Sequence, residues 1–155
     1  MRPAPSHTRT VHATAVSVEG VGVLLRGPSG SGKSDLALRL IDGGAALISD
    51  DQTELACEGS GLVARPPAAA PPELRGRIEV RGIGILAVPS AAQARVGLIV
   101  DLAAERPIER LPEPAAEDCL GVAVPLIVLR PFEVSAASKV RLAVRALART
   151  AEAEP

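Results

Sequence analysis

Short apolar runs separated by glycine, proline and charged turns recur along the chain and predict strands over most of its length. Residues 11–18 alternate, with Val11, Ala13 and Ala15 opposite His12, Thr14 and Val16, and read as a strand closed by a Glu19-Gly20 turn. Residues 21–25 form an apolar run typical of a buried strand. The period then changes: over residues 33–41, Leu36 stacks on Leu40 and Ala37 on Ile41, which predicts a helix ended by Gly43 and Gly44. Residues 45–49 read as the next strand, with Asp50 and Asp51 at its far end, and residues 52–65 as a hairpin turning at Glu58, Gly59, Ser60 and Gly61. The proline-rich stretch 66–72 predicts a loop, because a ring that fixes φ and removes the N–H donor breaks regular structure. Strands follow at 78–80 and 83–88, joined through Arg81 and Gly82, and at 96–102. Residues 104–118 are charged and proline-rich and read as an exposed loop. A last strand at 122–129 precedes a helix capped by Ser135 that runs through Arg149, with Leu142, Val144 and Leu147 as its apolar residues. The domain is expected over residues 11–150, with frayed ends at 1–10 and 151–155.

Between the second strand and the first helix stand Gly27, Pro28, Ser29, Gly30, Ser31, Gly32, Lys33 and Ser34. This octet fits the phosphate-binding pattern of a glycine, four free positions, then Gly-Lys-Ser, and it sits in the strand-loop-helix context that the pattern requires. The glycines let the backbone curl into a nest of inward-facing N–H groups at a helix N-terminus, where the dipole favours an anion. Lys33 adds a mobile positive charge for β- and γ-phosphates, and the Ser34 hydroxyl is placed to ligate Mg²⁺. The fold class expected is therefore α/β: a single P-loop-containing domain with a mixed central sheet flanked by helices.

A strand-helix-strand crossover returns its two parallel strands to the same sheet edge, so Asp50 and Asp51 should lie beside the cradle. Phosphoryl transfer asks carboxylates to hold Mg²⁺ and to accept the proton of the attacking hydroxyl, and this pair can supply either. Alternation places Glu79 on a polar strand face with Arg77 and Arg81, which spacing alone cannot tell from a solvated face. His12 is equally ambiguous on spacing. Arg141, Arg145 and Arg149 recur on one face of the last helix and read either as a solvated stripe or as a docking patch for an acidic partner.

Composition narrows the partners. Apolar residues make up 47% of the 155-residue chain, enough for one core, and the formal net charge of −1 excludes a strongly basic nucleic-acid footprint. Phe132 is the single aromatic residue, so a nucleobase has almost no aromatic partner and its recognition is expected to fall to aliphatic and backbone groups. Cys57 and Cys119 fit no metal spacing and are consistent with a reduced chain. No apolar run reaches the length of a membrane span and residues 1–10 lack the apolar core of a signal peptide, so a cytoplasmic protein is expected.

Several landmarks line up in one order: His12; Gly20, Val21, Gly22 and Val23; the octet; Ile48, Ser49, Asp50 and Asp51; then Ile78, Glu79, Val80, Arg81, Gly82, Ile83, Gly84 and Ile85. Together they resemble the catalytic domain of the bacterial HPr kinase/phosphorylase family. The resemblance implies an HPr kinase-like variant of the P-loop fold and transfer of a phosphoryl group from ATP, or from pyrophosphate in some members, to a serine of a small HPr-like phosphocarrier of a phosphotransferase system. It further implies that Asp50 takes the serine proton, with Lys33, His12 and Arg110 as catalytic neighbours, and that Ser34 and Glu79 ligate Mg²⁺; Asp51, the other half of the aspartate pair, is a third candidate metal ligand. A homo-oligomer and the reverse, phosphorolytic reaction are implied in the same way, the latter through a segment resembling Arg130 and Pro131. The chain looks like a short form, without the family's usual N-terminal domain and with a shortened C-terminal helical extension, and Asp35 stands where a glutamate is usual. A P-loop kinase for a small molecule and a non-catalytic nucleotide sensor are the competing readings.

Overall fold

A computed structural model of the chain describes residues 7–103 and 105–153. The strands are β1 (Thr8–His12), β2 (Thr14–Val18), β3 (Val21–Arg26), β4 (Ala46–Ser49), β5 (Gln52–Glu58), β6 (Gly61–Arg65), β7 (Arg77–Val80), β8 (Gly84–Ala87), β9 (Ala94–Leu102), β10 (Ala115–Cys119) and β11 (Val122–Leu129). The two helices are α1 (Lys33–Asp42) and α2 (Ala136–Ala153).

The central sheet is mixed. β3 pairs in parallel with β9 and antiparallel with β2, and β2 pairs antiparallel with β4. β3 and β4 therefore run parallel with β2 between them, and the crossover through α1 brings Arg26 and Ser49 to one edge. β11 adds to β9 in parallel, and β6 meets the beginning of β9 antiparallel. β5 and β1 extend that side as antiparallel neighbours, while β7 and β8 form a separate two-stranded ribbon.

Two cores lie on opposite faces of this sheet. α1 buries Leu36, Ala37, Leu40 and Ile41, the stripe expected from its spacing, and α2 buries Ala136, Ala137, Val140 and Val144 beside it. Both helices share this core with Val23, Leu25, Leu98 and Val100. Each fully buried leucine or isoleucine contributes about 2 kcal/mol, so the stripe suffices to dock α1 without further partners. The opposite core holds Leu24 and Ile99 against Leu55, Leu62 and Val124 and contains no helical residue. Mixed α/β architecture is thus as expected, with strands rather than helices covering the second face.

Four local readings are corrected. The alternating run over 11–18 is two strands, because β1 pairs with β5 while β2 enters the central sheet. At the break between them the Ala13 carbonyl accepts a hydrogen bond of 2.9 Å from the Thr53 hydroxyl. Of the expected frayed residues 1–10, Thr8 to Thr10 already pair with β5, and the first six lie outside the described residues. The expected loop at 104–118 ends in β10, which pairs antiparallel with β11. The last helix runs past Arg149 to Ala153, and residues 154–155 of the expected tail lie outside the described residues. On that helix Leu142 is exposed and Val140 takes the inward position.

The arginine stripe of α2 is partly used within the chain. The Arg141 guanidinium lies against Gly43 and donates to the Arg39 carbonyl at 3.2 Å, and Arg145 pairs with Glu19 at 3.0 Å. Among the described residues, no helix is long and apolar enough to cross a membrane.

Candidate active site

The loop from Gly27 to Gly32 leaves the end of β3 and enters α1. Gly30 and Gly32 have φ of 82° and 97°, a left-handed conformation in which a side chain is strained, and Gly32 is the N-cap of α1. Gly27 has a different reason: a Cβ there would fall 2.4 Å from Ser31 Oγ. That Ser31 hydroxyl is buried without a hydrogen-bond partner among the described residues, an orphaned polar atom of the kind an oxyanion satisfies. Lys33 is buried to 6% exposure, its ammonium donating to the carbonyls of Gly27 at 2.8 Å and Pro28 at 3.1 Å. The side chain thus arches back over the loop and holds its charge at the nest.

The tip of β4 supplies the acidic wall. Asp50 Oδ1 accepts from the Ser34 hydroxyl at 2.8 Å and from the Thr14 hydroxyl at 3.1 Å. The Thr14 oxygen in turn accepts from the Asp51 backbone N–H at 3.1 Å. Asp51 has φ of 67°, an uncommon conformation for a residue with a side chain, and its Oδ1 lies 2.6 Å from His12 Nε2. An ionised carboxylate only accepts, so the imidazole donates through Nε2. Such a conformation persists only where the surroundings fix it, here through the Thr14 bond and the His12 bond together.

Two adjoining clefts meet at these carboxylates, each of about 580 Å³. One runs over the loop and is lined by Ser29, Lys33, Ser34, Glu79, Arg81 and Phe132 among others. The second lies under the proline-rich segment and the β7–β8 ribbon, with Pro67, Leu74, Arg77 and Ile85 in its wall. Asp50, Asp51 and Glu79 line both. The structure therefore brings Lys33, Ser34, Asp50, Asp51 and Glu79 to one place, with His12 held to Asp51. Arg110 is not among them: it stands on an exposed segment and lines neither cleft.

The donor set near Ser34 is all oxygen, from one hydroxyl and three carboxylates. Among the described residues no three His, Cys, Asp or Glu side chains form a ready-made metal cage. Mg²⁺ fits such a site, because it is held by one or two carboxylates and completes its octahedron with phosphate and water oxygens.

Thr14 escaped the sequence reading, although the alternation already put it on the face of His12. It is fully buried and links both aspartates. Thr14→Val keeps the shape but leaves the Asp51 N–H without its acceptor, so a loss of about 1 kcal/mol in unfolding free energy is expected from denaturant titration. An unchanged unfolding midpoint would show that Thr14 does not hold the tip in place.

The chain is similar to known proteins over most of its length. The family model for the HPr serine kinase C-terminal domain matches residues 4–153. An HPr kinase/phosphorylase of Bordetella petrii is 37% identical over 134 residues, covering 79% of this chain and 42% of the relative. The corresponding protein of Leptothrix cholodnii is 38% identical over 130 residues, covering 76% of this chain and 39% of its own length. The chain thus spans about two fifths of the curated relatives it matches. Among solved structures, the HPr(Ser) kinase/phosphatase from Coxiella burnetii superposes with a TM-score of 0.72 at 30% identity, over 93% of this chain and 96% of that one. With a family match over nearly its whole length, a glycine-rich loop entering a helix and an aspartate pair beside it, the chain belongs to the HPr serine kinase C-terminal domain family.

Proposed function

We propose that this chain transfers the γ-phosphoryl group of Mg-ATP to a serine hydroxyl of a small HPr-like phosphocarrier protein. The observation that carries this reading is the junction of the two clefts: the one over the glycine-rich loop and its lysine and the one under the proline-rich segment share Asp50, Asp51 and Glu79 in their walls. Donor and acceptor can then each occupy one cleft and meet at the same carboxylates, where transfer needs a metal ligand and a proton acceptor. The relatives named HPr kinase/phosphorylase support the acceptor class.

The geometry favours a division of labour between the aspartates opposite to the one the resemblance implied. Asp50 accepts two hydroxyl hydrogen bonds on one oxygen and is tied to Ser34, so it belongs with Ser34 and Glu79 on the metal-holding side. Asp51 is 63% exposed at its side chain and held only by His12, which suits it to accept the proton of the incoming serine. The His12 N–H fixes the carboxylate's orientation. The loop amides and Lys33 bind the transferring phosphate oxygens, where charge is stabilised without reorganisation. Mg²⁺, when bound, neutralises charge on the phosphate oxygens.

Incubation of the purified chain with Mg-ATP and an HPr-like protein is expected to yield phosphoserine, read by intact-protein mass spectrometry. Bound ATP with no serine transfer to any such carrier would refute the acceptor assignment. Adding inorganic phosphate to the phosphorylated carrier tests the reverse direction in the same tube.

A further inference from the structure

Phe132 is the chain's one aromatic residue, and it is 63% exposed rather than packed in either core. It follows β11 and lies on the rim of the nest. A Cβ on Gly32 would fall 2.9 Å from Pro131 Cβ and 3.1 Å from two atoms of the Phe132 ring. The backbone on either side of the ring is fastened to α1. Arg39 donates to the Pro131 carbonyl and, at 3.1 Å, to the Glu133 carbonyl, while Asp35 holds the same guanidinium at 3.0 Å. An exposed ring on a tethered backbone costs little conformational entropy when a ligand covers it. Leu38 and Val80 line the same cleft and add apolar surface beside the ring. Distance in sequence hid that the fold brings the one ring to the cradle.

We propose that Phe132 stacks on the nucleobase of the phosphoryl donor and so determines preference for a nucleoside triphosphate over a donor made of phosphates alone. This rests on the cradle being the donor site. Sequence-tolerant stacking on an aromatic face makes the residue a specificity determinant for nucleotides as a class, not a reader of base edges.

Two ligands separate the ring from the nest: Mg-ATP carries a base and inorganic tripolyphosphate does not. By calorimetry, Phe132→Ala is expected to weaken Mg-ATP about tenfold while leaving tripolyphosphate within about twofold. Phe132→Trp is expected to restore ATP affinity. Its indole reports alone, since the chain has neither Trp nor Tyr, and should be quenched by ATP but not by tripolyphosphate. Equal weakening of both ligands in Phe132→Ala would mean that the ring only supports the loop and overturns the proposal. Unchanged ATP binding with reduced transfer to the carrier would assign the ring to the acceptor and overturn it as well. A wild-type chain that binds tripolyphosphate and ATP equally refutes the stacking role alone, whereas one that binds neither removes the cradle reading and this inference with it.

Discussion

Asp51→Asn is expected to lower the rate of phosphoryl transfer about a thousandfold while leaving the Kd for Mg-ATP within about threefold of wild type. An asparagine keeps the size and the polar contact to His12 but cannot take a proton, so loss falls on the chemical step. Asp50→Asn is the informative contrast. That carboxylate is the acceptor of both the Ser34 and Thr14 hydroxyls, and replacing it disturbs the side of the site that faces metal and phosphate. Its cost should therefore appear first in Mg²⁺-dependent nucleotide binding. Single-turnover transfer with saturating ATP, set beside calorimetry for each variant, distinguishes the two. Wild-type turnover in Asp51→Asn combined with dead chemistry and normal Mg-ATP binding in Asp50→Asn would return the base to Asp50. Behind the expected asymmetry is a difference of partners: Asp50 is engaged by the Ser34 and Thr14 hydroxyls, whereas the Asp51 side chain is held by His12 and is 63% exposed.

The nest was legible in sequence because its physics is local. Glycines that allow left-handed turns, a lysine and a serine at fixed spacing, and a helix beginning at once all lie within one octet. The neighbourhood of the aspartates was legible because a crossover through one helix has few geometric outcomes, and the intervening β2 changes nothing about which edge they reach. What stayed hidden depends on contacts between distant segments. β10 reads Ala115, Ala116, Glu117, Asp118, Cys119 and has no apolar alternation to mark it as a strand. It becomes one because it is an edge strand supplying backbone pairs to β11 and one carboxylate to an arginine. The two aspartates differ for a related reason: adjacent identical residues are distinguished by which partners, Ser34 and Thr14 or His12, the fold presents to each. Phe132 lies about a hundred positions from the loop it borders; the parallel pairing of β11 with β9 beside β3 brings it to that edge, and the Arg39 bonds to its flanking carbonyls hold it there.

The arginine that recruits β10 carries the largest expected stability effect. Arg26 ends β3 one residue before the nest and grips two carboxylates in fork geometry. Its Nε and Nη2 donate to Asp101 at 2.8 and 3.0 Å, and its Nη1 and Nη2 donate to Glu117 at 2.5 and 2.9 Å. One guanidinium thus joins β3, β9 and β10 at the edge where the loop departs. Arg26→Met keeps the apolar stem but leaves two partly buried carboxylates facing each other without a counter-ion. Removing one partner of a buried pair costs more than the pair itself is worth; discounted for the partial exposure of Glu117, a loss of about 2 kcal/mol is expected, or about 4–8 °C in Tm. Acid should erase the difference. Hydrogen bonds from Arg26 hold Glu117 below the ordinary glutamate value, so the pair's contribution is complete above that value and is lost as the pH falls through the depressed one. Denaturant titrations of both proteins should accordingly differ most at neutral pH and converge on acidification. A gap that persists unchanged into acid would mean that Arg26 stabilises this edge through its stem packing, and a variant as stable as wild type at every pH would mean that β10 is held by its ladder to β11 alone.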